Sequence, residues 1–161
     1  MKAWLAMGVS FIFALWFDVL PFPFWLNWLR PELALLILIY WAMAIPERCG
    51  ILTAAVLGMI MDSLTGTFIG QHIISYSITI SFIALTYRRI RVFDVWQQAG
   101  FIFLLVGIEQ LIEHWLRLAM GYSTYGLWFL LPVLVSAALW PWIMIAMRSF
   151  RRQMGLVKHL I

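Results

Sequence analysis

The chain has 161 residues, enough for one domain, yet 65% of them are hydrophobic, 17% aromatic and only 11% charged. A soluble domain of this size has too little interior to hide so much apolar surface. The composition therefore excludes a water-soluble enzyme or binding module and specifies an all-α, polytopic transmembrane helical bundle. The net charge of +4 lies beside apolar runs, where it reads as a topology signal and not as a nucleic-acid surface.

In chain order the pattern predicts six spans, at about 3–20, 32–45, 50–65, 71–87, 97–118 and 127–147, within a single integral membrane domain over 1–161. The first resembles a signal peptide, but Asp18, Val19, Leu20 and Pro21 follow it in place of a small-residue cleavage site, so it is read as an uncleaved span. The connector that follows holds Pro21 and Pro23 among Phe22, Phe24, Trp25 and Trp28, aromatics suited to a membrane–water interface. Span two opens with Arg30, Pro31 and Glu32, a proline at a first helical turn and an acid facing the positive helix end. It stops at the turn from Pro46 to Gly50. Cys49 lies in that turn with no second cysteine to pair with.

Span four carries Ser75, Ser77, Thr79, Ser81 and Thr86, expected to supply interhelical hydrogen bonds. The basic stretch from Arg88 to Trp96 is amphipathic enough to lie along a membrane surface. Glycines and Ser123 mark the connector before span six, and Pro132 and Pro141 are candidate bends in that span. The basic tail from Arg148 includes Arg151, Arg152 and Lys158. In this arrangement nine of the eleven Lys and Arg residues fall on one side, against Arg30 and Arg117 on the other. By the positive-inside rule both termini are expected in the cytoplasm.

Intramembrane charge is the first place to look for function, because each such group costs about 2.5–3.5 kcal/mol at a helix centre. Every fourth residue from Gly50 onward reads Gly50, Ala54, Gly58, Asp62, Gly66, Gly70, a ridge almost without side chains along which another helix can approach closely. Asp62 sits within it, about 18 Å along the span at the α-helical rise. Glu109, Glu113 and Arg117 form a second stripe, with Glu113 and Arg117 spaced as an ion pair and Gln110 and His114 alongside. Glu109 is expected at a depth similar to that of Asp62. The stripe either faces the bundle interior or contacts a partner or small solute. No zinc site, Cys–His nucleophile or phosphate-binding loop is expected, since His72, His114 and His159 fall at different predicted depths and no Gly-Lys-Ser/Thr follows the glycines.

Arg30-Pro31-Glu32, then Pro46, Arg48 and Gly50, then Gly58, Asp62, Gly66 and Gly70 followed by Gln71 and His72, and finally Trp96-Gln97-Gln98 behind an arginine-rich stretch, together resemble the MreD family of rod shape-determining membrane proteins. The likeness covers nearly the whole chain; the Glu109–Arg117 stripe is not among its signatures. It implies a non-enzymatic scaffold of the cell-elongation machinery in the bacterial inner membrane, without a cofactor. It also implies an architecture similar to the S components of vitamin transporters. The implied partners are the membrane-anchored MreC and, indirectly, MreB filaments, RodA and its transpeptidase. On this reading Gly58, Asp62, Gly66 and Gly70, with Arg30 and Glu32, form the partner-binding region that meets the transmembrane helix of MreC. The arginine-rich loop and tail either meet lipids and cytoplasmic partners or simply set topology. The rival is a transport component holding a small solute, proton or cation at Asp62 and Glu109.

Overall fold

The computed structural model describes residues 2–21, 23, 29–122 and 130–155, and among them the regular elements are six helices. They are α1 (Lys2–Val19), α2 (Leu33–Ala44), α3 (Ile51–Thr65), α4 (Gln71–Ile90), α5 (Val95–Ala119) and α6 (Leu131–Gln153). The aromatics Phe22, Phe24, Trp25 and Trp28, the connector residues Ser123 and Gly126, and Lys158 and His159 lie outside the described residues. Helices α1, α5 and α6 are long and apolar enough to cross a membrane, whereas α2 and α3 are shorter apolar helices.

The short α2 is the hub. It packs on α1, α4 and α6, and every residue from Ala34 to Ala44 is buried. A helix that is apolar around its whole circumference has no polar face to show water and belongs inside. Of its two polar side chains, Trp41 is met locally: its indole N–H donates to Ser10 Oγ of α1 at 2.8 Å. Around this hub α3 lies on α4 and α1, α4 on α5, and α5 on α6.

Gly58 explains how closely α3 and α4 approach. A Cβ placed there would stand 2.6 Å from the carbonyl carbon and oxygen of His72, a distance that backbone cannot yield cheaply. Ala54, Gly58 and Asp62 are all buried, so the small-residue ridge is a packing surface, and its partner is α4 of the same chain. The ridge ends sooner than its spacing suggests. Gly66 ends α3 in the left-handed conformation at φ 67, and Gly70 precedes α4 at φ 120. Both are turn glycines, chosen for positive φ and not for helix packing.

One further expectation is corrected in part, since of the hydroxyls of α4 it is Ser75 that reaches another helix. Thr79, Ser81 and Thr86 donate to the carbonyls of Ser75, Ser77 and Phe82 one turn back in α4, which satisfies a hydroxyl in an apolar setting without an interhelical bond. The segment from Arg88 to Trp96 spans the end of α4, which runs to Ile90, the turn, and the start of α5 at Val95. Here the Asp94 N–H donates to Gln97 Oε1 at 3.3 Å, half of a capping box. Pro141 lies buried within a continuous α6.

Contacts between successive elements divide the bundle into two ends. The start of α1, the α2–α3 turn, the α4–α5 turn and the end of α6 carry Lys2, Arg48, Arg88, Arg89, Arg91, Arg148, Arg151 and Arg152. The end of α1, the start of α2, the α3–α4 turn and the second half of α5 carry most of the buried acids.

Two outcomes follow from this packing. Gly58→Ala is expected to cost about 1–3 kcal/mol through overpacking, read as reduced membrane accumulation and a lower melting temperature, while Gly100→Ala, with open space around its Cβ position, leaves both unchanged. Burial of Cys49 in the α2–α3 turn pushes its thiol up to about 12. At neutral pH it stays the unreactive thiol, so maleimide should modify it slowly in mild detergent and fast once sodium dodecyl sulfate unfolds the chain.

Candidate functional site

Asp62 lies one turn from the C-terminus of α3, not at mid-helix, and the α3–α4 turn folds back over it. Oδ2 accepts the Gly70 N–H at 2.8 Å, and Oδ1 accepts the His72 N–H at 2.9 Å and the Thr67 hydroxyl at 3.2 Å. Those two amides belong to the start of α4, where N–H groups have no intrahelical partner and the helix end is positive. The acid therefore caps its neighbour helix. The His72 ring also reaches it, Nδ1 standing 2.7 Å from Oδ1.

His72 carries the contact onward to α5. Its Nε2 lies 3.2 Å from Glu113 Oε1, so each ring nitrogen faces a carboxylate oxygen. A neutral imidazole has one N–H, so two donating nitrogens require a proton on both, or a proton held by one of the acids. All three side chains are at least 94% shielded from solvent, with exposures of 6%, 0% and 5% for His72, Asp62 and Glu113. The row Asp62–His72–Glu113 is thus a buried chain of titratable groups across α3, α4 and α5.

Other groups complete it. Gln71 Nε2 donates to Glu113 Oε2 at 3.0 Å, and a guanidinium nitrogen of half-exposed Arg117 lies 3.4 Å from that oxygen. The expected Glu113–Arg117 pair is present at the rim. Ser75 Oγ stands 3.2 Å from Glu109 Oε1 and 3.3 Å from Glu113 Oε1. One hydroxyl has one proton, so it cannot donate to both. Glu109 Oε2 is buried with no hydrogen-bond partner.

A second cluster adjoins the first. Gln110 Nε2 donates to Glu32 Oε1 at 2.8 Å. The Glu32 N–H in turn donates to Ser136 Oγ of α6 at 3.1 Å. Glu32 does not cap its own helix: Asp18 of α1 accepts the Leu33 and Ala34 N–H groups at 3.2 and 2.7 Å. Arg30 is half-buried and donates to the Phe17 carbonyl at 3.5 Å, and His114 is half-buried on α5.

Sequence reasoning singled out Asp62, Glu32, Glu109 and Glu113 and the structure gathers them at one end. It also expected an interhelical hydrogen bond from Ser75, which Ser75 makes to the acids of α5, but it missed His72, Gln71, Asp18 and Ser136 as members of the network. A signal existed for His72: with Ser75, Tyr76, Thr79, Ile80 and Ile83 it falls on the buried face of α4 at helical spacing. Among the described residues no cluster of three or more His, Cys, Asp or Glu side chains is arranged to hold a metal ion. What the network can do chemically is join helices and store or share protons.

The family model for the rod shape-determining protein MreD matches residues 1–150. The rod shape-determining protein MreD of Haemophilus influenzae is 28% identical over 153 residues, covering 95% of this chain and 94% of that protein. No solved structure matches the chain. The chain belongs to the MreD family of rod shape-determining proteins. It is a membrane protein with a role in cell shape.

Removing His72 leaves two buried acids without their shared partner. Breaking a buried ion pair on one side costs roughly 3–5 kcal/mol, and an exposed pair at most about 1 kcal/mol. His72→Ala should therefore lower the melting temperature of the purified protein sharply, and Arg117→Gln should barely move it.

Proposed function

We propose that this member of the MreD family is a multi-pass protein of the bacterial inner membrane, with six spans and both termini cytoplasmic. In this reading it is a non-enzymatic scaffold for cell elongation. It binds the transmembrane helix of MreC and through it helps couple MreB filaments to the peptidoglycan synthesis of RodA and its transpeptidase. The observation that carries the reading is the use made of Asp62. Its carboxylate spends both oxygens on the turn between α3 and α4, and that turn presents Ile69 at 76% exposure. A polar network that fixes the shape of a loop bearing an exposed apolar residue suits a docking surface better than a transport path.

The partner-binding residues then divide by role. Gly66 and Gly70 give the turn its backbone path, and Asp62 and Gly58 hold it against α4 from within. Glu32 and Arg30 brace the neighbouring start of α2. Lipid or the partner covers the outward face of α3, where Leu52, Val56, Met59 and Leu64 are exposed. A second reading, a site for a proton, cation or small solute, draws support from the unpartnered Glu109 Oε2.

Co-purification of MreC from membranes separates the two. Ile69→Ser and Gly66→Leu should lower MreC recovery about tenfold, the loss of one or two anchoring contacts, while the variants still accumulate. Retention of MreC by both variants would overturn the docking surface. If Glu109→Gln abolishes rod shape while MreC stays bound, the second reading gains instead.

A further inference from the structure

At the opposite end of the bundle from the acids, a cavity of about 160 Å³ opens between α2, α5, α6 and the α4–α5 turn. Arg91, Arg148 and Arg151 line it together with Tyr40 and Gln98. Among the described residues no carboxylate forms a salt bridge with any of these three guanidiniums. Three like charges around one small space repel each other unless an anion sits among them.

Two of the lining residues hold unspent donors. Arg151 Nε and the Tyr40 hydroxyl are both buried without a hydrogen-bond partner, a costly condition for a polar group. Tyr40 is 3% exposed. The walls, by contrast, are fixed. Gln98 Nε2 donates to the carbonyls of Ile90 and Phe93, both at 3.1 Å, and its Oε1 accepts the Trp140 indole N–H at 3.4 Å. Arg91 donates to the Ala44 carbonyl at 3.0 Å, holding the α4–α5 turn over the end of α2. Topology alone explains arginines at this end, as it explains Arg48 and Arg88. It does not explain why a buried guanidinium N–H and a buried phenol converge with them on one cavity.

We propose that this cavity binds a phosphoryl group, with Arg148 and Arg151 as the charged fork and the Tyr40 hydroxyl as a neutral donor. Guanidinium matches phosphate oxygens in geometry as well as charge. The phosphoryl group comes either from the head group of an anionic phospholipid or from a soluble phosphate. The site shares no residue with the acid–histidine network, so it stands whether or not that network serves MreC.

Thermal unfolding of the purified protein, followed by tryptophan fluorescence in neutral detergent, tests it, because a ligand of the folded state raises the melting temperature. The probes are phosphatidylglycerol against phosphatidylcholine in mixed micelles, and inorganic phosphate against chloride at matched ionic strength. A rise with phosphatidylglycerol alone assigns a lipid head group; a rise with inorganic phosphate as well assigns the phosphate itself. The half-saturating concentration should increase about tenfold in the Arg148→Gln/Arg151→Gln double variant and in Tyr40→Phe, the loss of a hydrogen bond to a charged group. Arg48→Gln, a basic residue of the same end outside the cavity, should leave it unchanged. If the double variant does not fold, Tyr40→Phe decides alone. No rise with either probe, or an equal weakening in Arg48→Gln, overturns the site.

Discussion

The contact on which the bundle depends is the seam between α3 and α4, where a missing side chain and a carboxylate act together. Gly58 lets the start of α4 come within 2.6 Å of where its Cβ would stand. That approach brings the free amides of Gly70 and His72 onto Asp62. Neither feature works without the other. A larger residue at 58 would lift the amides off the acid, and an apolar residue at 62 would leave the α4 N-terminus buried with its donors unmet. In a medium without water such donors cost several kcal/mol each, so the pair decides where α4 begins and how it lies.

Asp18 solves the same problem for α2 from another helix, accepting the Leu33 and Ala34 amides. In both cases the helix receives its cap from a neighbouring element and not from its own preceding residue, which ties two elements with one side chain. His72 then extends the Asp62 seam to Glu113, and Glu32 joins Gln110 to Ser136. The acids of this end are thus fasteners across α1 to α6. Their collective placement at one end, around a hub helix without a single polar side chain beyond Tyr40 and Trp41, leaves the remaining helix surfaces free to face lipid.

The helical architecture was legible because it rests on composition and on the length of apolar runs; predicted and observed helices agree to within a few residues for most of the chain. The packing stripe was legible too, through Ala54, Gly58 and Asp62. Its partner was not, because spacing says that a helix can come close without saying which one does. Reading Gly66 and Gly70 as part of the same ridge failed since periodicity cannot distinguish a packing glycine from one with φ at 67 or 120. The network was half legible. Glu109 and Glu113 stood out as charges in an apolar run and Ser75 as an interhelical hydroxyl, whereas His72 sat among neutral residues and acquires meaning only when α4 faces α5. The caps were invisible: Asp18 and Ala34 are far apart in sequence and adjacent only after α1 and α2 pack.

The two ends of the molecule handle charge in opposite ways, and this contrast bears on what each is for. The acidic end settles its charges internally, in contacts that run from carboxylate to imidazole, amide and hydroxyl, and Glu109 Oε2 is the exception. The basic end leaves its charges open, with Arg91, Arg148 and Arg151 around a cavity and two buried, unpartnered donors among the residues that line it. Internal settlement makes a rigid element, and rigidity is what a docking loop needs if binding is not to spend its free energy on ordering. Open charge stabilises nothing by itself; it costs repulsion until an anion arrives. Keeping such a cost at one end while neutralising the other is what the two proposed roles require, an anion site there and a fixed docking loop here.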